Sequence, residues 1–181
     1  MKWLFRIIGI ILLAFIGLCI VGYFLPAKQS IERSVQIKAY PEEIFPYLND
    51  LTRYPQWSVL HAAIGDADIA YGGAHEGVGQ SMAWQGSSSA FAYGSQEIVQ
   101  SQAGEFVLLN INLAGLDAVA THAIQSHEGE EYVTVLTKSE IDLGGFPYLG
   151  RIAGKMNLKS REAQYDRALE NLKTTVELGV Q

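Results

Sequence analysis

Hydrophobic and polar residues alternate along the segment that starts at Ile31, which is the pattern of a strand with one buried face. Val35, Ile37 and Ala39 share a face with Ile31, and polar side chains occupy most of the other face. Arg33 interrupts the apolar face. The segment is therefore predicted to form the first strand of a half-buried sheet.

Two short helices are predicted next. Pro41 suits the first turn of a helix, and Glu42 and Glu43 complement the positive end of its dipole. Pro46 should kink or shorten this helix. A second short helix or turn follows in the stretch LTRYPQW, residues 51–57.

Six further strands are predicted, because apolar and aromatic runs alternate with Gly, Ser, Asp and Glu turn signals and no long helical pattern lies among them. Since successive strands connect directly, the sheet should be antiparallel. The predicted strands cover residues 67–71, 80–85, 90–99, 105–113, 118–126 and 132–141.

After residue 151 the apolar period changes to that of a helix. One stripe has spacings of seven, four, three and four residues and consists of Leu158, Tyr165, Leu169, Leu172 and Val176. A long amphipathic C-terminal helix is predicted. The order of elements indicates one α+β domain, in which a long helix laid across a curved sheet leaves room for a cavity.

The front of the chain has a different pattern. Residues 7–25 carry no charge, and a helix of that length rises by roughly 28 Å, which matches the core of a bilayer. A cleaved signal peptide is the alternative, but the run is too long and no small-x-small cleavage site follows. Lipidation at Cys19 is disfavoured, because Leu18 stands where a lipobox has Gly or Ala. An uncleaved membrane anchor is therefore favoured.

The charges beside the apolar run predict its orientation. Lys2 and Arg6 precede it, whereas Lys28 and Arg33 follow it with Glu32 between them. This modest bias places the amino terminus in the cytoplasm. We therefore expect a single-pass protein of the cell (inner) membrane whose domain lies outside the cytoplasm.

The division of the chain follows from the same pattern, with the anchor and a short linker in residues 1–29 and one domain in residues 30–181. All 19 acidic residues and 10 of the 13 Lys and Arg residues follow residue 29, so the domain has a net charge of −9. Such a charge repels phosphate backbones, so nucleic acid is not expected as a partner.

Several dispersed motifs resemble those of one superfamily. They begin at residues 31, 54, 77, 142 and 168, and they read IERSVQIKAYPEEIFPYLND, YPQWS, GVGQSMAW, DLGGFPYLGR and ALENLK. In this order, after an apolar span, they resemble the membrane-anchored members of the SRPBCC superfamily, which includes START-like and polyketide cyclase or dehydrase proteins. The likeness covers residues 30–177.

The resemblance implies a helix-grip fold, in which a seven-stranded antiparallel sheet wraps around a long C-terminal helix and encloses a hydrophobic cavity. Members bind lipids, sterols, polyketides or other apolar molecules, and a minority catalyse reactions. No universal catalytic residue accompanies this fold, so the resemblance leaves the activity open.

Four aromatic residues are candidates for the cavity wall. Trp57 lies in the motif YPQWS, near the cavity mouth that the resemblance implies, and Trp84 shares a strand face with Met82. Phe91 and Tyr93 share a face of the next predicted strand. For each of them, ordinary packing in a core is the alternative interpretation.

His122 is the fifth candidate. It shares a face with Ala120 and Ile124 if its strand is regular, so it is expected to point inward. In an apolar cavity it would act as a general base or hydrogen-bond a ligand oxygen. The alternatives are a satisfied core histidine or, after a register slip of one residue, a surface histidine.

Other kinds of site are disfavoured, and neither a metal nor a cofactor is expected. The Gly-rich residues 72–79 lead into a strand, whereas an anion site needs a helix N-terminus. No cysteine follows Cys19, and there is no Gly-x-Ser-x-Gly elbow. No metal-ligand spacing such as HExxH occurs among the candidate ligands, which are His61, His75 with Glu76, His122, and His127 with Glu128.

Arg151, Lys155 and Lys159 recur every four residues near the start of the last helix. They would either contact anionic lipid headgroups or form a solvated face, which Glu162 continues.

The favoured hypothesis is a non-enzymatic, membrane-tethered module that holds an acyl chain, an isoprenoid or another small hydrophobic molecule between the sheet and the C-terminal helix. A cavity below the volume of one acyl chain would refute it. The alternative is a cyclase- or dehydrase-type enzyme, in which His122 with Tyr93 or an acidic residue moves protons. An assembly or chaperone-like partner in the cell envelope is the third possibility.

Overall fold

The computed structural model describes residues 2–86, 92–114, 116–126, 131–145 and 147–179. The α+β order is confirmed, and all seven predicted strands are present. In chain order the elements are α1 (Lys2–Phe24), β1 (Lys28–Ile37), α2 (Pro41–Asn49), a 3-10 helix (Leu51–Gln56), α3 (Val59–Ile64), β2 (Asp68–Gly73), β3 (Gln80–Gln85), β4 (Tyr93–Gln102), β5 (Phe106–Leu113), β6 (Leu116–Ser126), β7 (Val133–Asp142) and α4 (Leu149–Gly179).

The seven strands form one sheet in the order β1-β7-β6-β5-β4-β3-β2, and every neighbouring pair is antiparallel. Strands β2 to β7 follow one another as a meander, while β1 adds to the free edge of β7. The short helices carry the chain from one edge of the sheet to the other. Together with α4, this arrangement is the helix-grip fold.

Strand β1 begins at Lys28, where it pairs with Asp142, so residues 25–27 are all that connects it to α1. Arg33, the exception in the apolar pattern of β1, faces α4. Its guanidinium forms ion pairs of 3.1 Å with both Glu162 and Asp166. The charge therefore helps to place the helix on this strand.

The C-terminal half of α4 packs closely on the sheet. Leu169, Leu172 and Val176 are buried, whereas Leu158 and Tyr165 are half-buried. The core beneath this half of the helix is apolar and includes Ile37, Ile44, Leu48, Met82, Ile98 and Val135. The middle of α4 is thus less tightly covered than its end.

The start of α4 contacts the end of α1. A Cβ atom at Gly22 would overlap Tyr148, so the absent side chain permits this close approach. The Arg151 guanidinium lies 4.7 Å from the Tyr148 ring centroid and donates to the carbonyl oxygen of Leu25 at 3.1 Å. Arg151 therefore stabilises the junction between the helices, which the spacing of the basic row does not reveal.

The rest of α1 is an exposed apolar helix. Its most apolar stretch of 18 residues is not buried within the protein. The helix is long and apolar enough to cross a membrane, although a signal sequence has the same properties.

Candidate functional site

A cavity of about 140 Å³ lies between the inner face of the sheet, α3 and the middle of α4. Most of its wall is apolar, and its aliphatic residues among those described are Leu60, Ala63, Leu109, Ile111, Leu113, Ala120, Ala168 and Leu169. Two residues of the wall, Ala63 on α3 and Gln164 on α4, are exposed. The cavity therefore opens to solvent between these two helices.

The 3-10 helix that carries one wall is anchored to the sheet. Asp50 accepts hydrogen bonds from the Thr52 backbone at 2.9 Å and from Gln80 Nε2 at 3.0 Å, and Gln80 Oε1 accepts from the Leu51 backbone at 2.7 Å. Burial alone would raise the pKa of Asp50, but these side-chain and backbone donors lower it below its usual value. The charged carboxylate is thus part of the scaffold behind the cavity.

Trp57 follows this helix and lines the cavity. Its Nε1 donates to the carbonyl oxygen of Tyr47 at 3.0 Å, and its ring lies edge-on to His122 with centroids 5.4 Å apart. Because the indole N–H is already bonded, Trp57 presents a fixed apolar surface to the cavity. Trp57 therefore belongs both to the cavity wall and to the hydrophobic core.

His122 points inward from β6, as the alternation predicts, and it lines the cavity with 6% of its surface exposed. Its Nδ1 lies 2.9 Å from Oγ1 of Thr137, the residue directly opposite on β7. Burial lowers the pKa of His122 to about 4, so the ring is neutral at pH 7. The threonine hydroxyl can donate or accept, so the tautomer of His122, and with it the role of Nε2, can adapt to a ligand.

Gln96 is a second polar residue of the wall that sequence reasoning missed. It is buried on β4, and its Nε2 lies 3.8 Å from Met82 Sδ. A polar residue at an inward position carries no hydrophobic signal, so the alternation of β4 did not identify it.

Trp84 and Tyr93 are not among the residues that line the cavity. Trp84 is buried, but its ring lies over Gly94 on the neighbouring strand, where a Cβ atom would overlap it. Tyr93 is 55% exposed, because the inward positions of β4 are Gly94, Gln96 and Ile98. Tyr93 therefore belongs neither to the cavity wall nor to the core. Phe91 lies outside the described residues.

The middle of α4 supplies the last part of the wall through Arg161, Gln164 and Tyr165. The sequence held a signal for Arg161, since it stands three residues after Leu158 and four before Tyr165, in the seven-residue gap of the apolar stripe. A cation at such a position faces the same side of the helix as its apolar neighbours.

His61 is buried on α3 but is not among the residues that line the cavity. Both of its ring nitrogens are buried without a hydrogen-bond partner among the described residues, and burial lowers its pKa to about 4. Within those residues no group of three or more His, Cys, Asp and Glu side chains converges as a metal site. His127 and Glu128 lie outside them.

Comparisons with known proteins agree with this architecture. The family model described as "Polyketide cyclase / dehydrase and lipid transport" matches residues 28–177. No curated protein matches the chain by sequence.

Solved structures share the fold at low sequence identity. Norcoclaurine synthase from Thalictrum flavum, in complex with dopamine and hydroxybenzaldehyde, superposes with a TM-score of 0.58 and 13% identity over 83% of this chain and 87% of that chain. The Aha1 dimer from Colwellia psychrerythraea superposes with a TM-score of 0.55 and 14% identity over 83% of this chain and 98% of that chain. DynU16, from the dynemicin biosynthetic locus, superposes with a TM-score of 0.57 and 12% identity over 83% of this chain and 48% of that chain. This chain therefore spans about half of the length of DynU16. Likeness at these identities shows the fold alone.

Proposed function

We propose a function from the premise that the chain belongs to the polyketide cyclase/dehydrase and lipid transport family. The protein is a membrane-tethered module that binds a small hydrophobic molecule in the cavity between the sheet and α4. The observation that carries this proposal is the largely apolar cavity itself, which opens between α3 and α4 and has His122 and Gln96 in its wall.

The cavity volume limits the size of the ligand. At about 140 Å³ it is close to an apolar cavity of ~150 Å³ that admits benzene in another protein. An entire acyl chain has more than twice as many carbon atoms as benzene and exceeds this volume. The hypothesis of an acyl-chain ligand therefore fails on cavity volume, and we propose instead a compact ligand about the size of one ring.

The chemistry of the wall favours binding over proton transfer. A histidine whose pKa is about 4 is a weak base at neutral pH. No carboxylate belongs to the cavity wall among the described residues, and Tyr93, the proposed partner of His122, faces away from it. His122 is then a hydrogen-bonding group for the ligand.

The tether is supported by the junction of α1 and α4. A signal peptide that is removed forms no contacts in the mature protein, whereas α1 packs against Tyr148, and Arg151 donates to the carbonyl oxygen of Tyr23 at 3.5 Å. We expect the intact mass of the protein in alkali-washed membranes to include the apolar run of residues 7–25. A mass that lacks the apolar run would contradict the tether and leave the cavity proposal in place.

The cavity proposal is tested by filling the mouth. In Ala63→Phe an aromatic side chain is placed at the opening, and the matched control Ala62→Phe changes the neighbouring exposed residue of α3, which is not part of the cavity wall. We expect benzyl alcohol to give saturation-transfer NMR signals with the full-length protein and with Ala62→Phe in lipid nanodiscs, beyond those from empty nanodiscs. These signals should disappear in Ala63→Phe. Equal signals from both variants would refute binding in this cavity.

A further inference from the structure

Among the described residues, Arg161 is the one charged side chain of the cavity wall. It is half-buried on α4 next to Gln164, at the exposed end of the cavity. The structure shows neither an ion pair nor a hydrogen bond between its guanidinium and any described residue. A cation in this position has given up part of its hydration without gaining a counter-charge from a described residue.

The nearby carboxylates are already engaged. Glu162 and Asp166, on the same helix, each form an ion pair with Arg33 of β1 at 3.1 Å. The domain as a whole carries a net charge of −9, so an arginine left without an acidic partner contrasts with its surroundings. Its neighbours in the cavity wall are neutral.

The interior of the cavity disfavours a charge, since its lining is mostly aliphatic and aromatic and its polar groups are neutral, namely Ser58, Gln96 and the bonded pair of His122 and Thr137. An ionised group buried there would lose its hydration without a counter-charge. A charged ligand therefore has one favourable orientation, in which the apolar part enters first and the charged part stays at Arg161.

We propose that the ligand is a compact monocarboxylate, whose apolar body lies against Trp57 and His122 and whose carboxylate pairs with the guanidinium of Arg161. A carboxylate matches the planar, two-pronged donor pattern of arginine. One guanidinium compensates one negative charge, which favours a carboxylate over a dianionic phosphate. This inference rests on the proposed function, because it specifies the ligand of the same cavity.

The test compares two probes of nearly equal size and shape, phenylacetate and its neutral analogue phenylacetamide. Their dissociation constants are measured with the full-length protein in phosphatidylcholine nanodiscs, whose lipids carry no net charge. We expect phenylacetate to bind roughly tenfold more tightly, as for a hydrogen bond to a charged group. Arg161→Gln should abolish this difference by weakening phenylacetate alone, and Arg161→Lys should retain part of it.

Lys159→Gln is the matched control, because it removes the same charge from an exposed position of α4 that does not line the cavity. We expect it to leave both dissociation constants within about twofold of the unsubstituted protein. Equal effects of Lys159→Gln and Arg161→Gln would overturn the inference, since they would reflect the net charge of the domain.

The outcomes separate the inference from the proposed function. If phenylacetamide binds as tightly as phenylacetate, the carboxylate preference is refuted and the hydrophobic cavity stands. If neither probe binds but benzyl alcohol does, the carboxylate inference is refuted and the proposal of a hydrophobic ligand in the cavity stands. If none of the three binds, both proposals fail.

Discussion

His61 and His122 are both buried and both lie beside the ring of Tyr54, with centroid distances of 6.3 and 6.2 Å, yet their surroundings differ. His122 is paired with Thr137 and faces the cavity. Neither nitrogen of His61 has a partner among the described residues. Burial lowers both pKa values to about 4, so the pKa alone does not distinguish a group that serves a site from one that costs stability.

The largest expected effect is common to both histidines. Between a folded pKa of about 4 and an unfolded value near 6.5, the unfolded state binds more protons, so stability falls as the pH is lowered. From pH 7 to pH 5 the loss is about 2 kcal/mol for each histidine. Urea unfolding of the full-length protein in detergent, followed by the circular dichroism of the sheet, measures it. An unchanged free energy of unfolding would show that neither ring is buried as described.

Substitution by leucine should change the free energy of unfolding in opposite directions at the two histidines. His61→Leu removes two buried nitrogens that lack partners and should raise the free energy of unfolding at pH 7 by about 1 kcal/mol, whereas His122→Leu leaves Thr137 without its partner and should lower it by about the same amount. Each variant should also lose half of the acid sensitivity. If both substitutions change the free energy of unfolding in the same direction, the described difference in hydrogen bonding between His61 and His122 is contradicted.

A smaller effect is expected from the partner of His122. Thr137→Val keeps the shape of the side chain and leaves Nδ1 unpaired, which should cost about 1 kcal/mol at pH 7. Thr121→Val, on the other face of the sheet, is the control and should change the free energy of unfolding by less than about 0.5 kcal/mol. Equal costs would show that the hydroxyl of Thr137 contributes nothing special to His122.

The smallest effect concerns the ligand. Because His122 lines the cavity and His61 does not, saturating benzyl alcohol should shift the imidazole NMR signals of His122 more than those of His61. The spectra of His61→Leu and His122→Leu assign the signals. Larger shifts at His61 would place the ligand elsewhere, on the α3 side of Tyr54.

The sequence predicted the seven strands and the long helix, because the spacing of apolar residues and the turn residues between them mark these elements. It also predicted the inward orientation of His122, because side chains alternate between the two faces of a strand. Tyr93 was misplaced for a physical reason. The inward positions of β4 include Gly94, which makes room for Trp84, and Gln96, which lies in the cavity wall. Apolar residues therefore do not mark the inward face of that strand. Side chains that serve a cavity, such as Gln96 and Arg161, interrupt the pattern from which a fold is recognised.

The contact between Arg151 and the end of α1 also limits where the cavity can take up its ligand. Arg161 follows Arg151 by ten residues of helix, or about 15 Å along its axis. With α1 in a bilayer, the mouth of the cavity therefore lies within this short distance of the end of the anchor. Three connecting residues reach only about 10 Å, so in an anchored protein the domain would stay beside the membrane surface at which α1 ends.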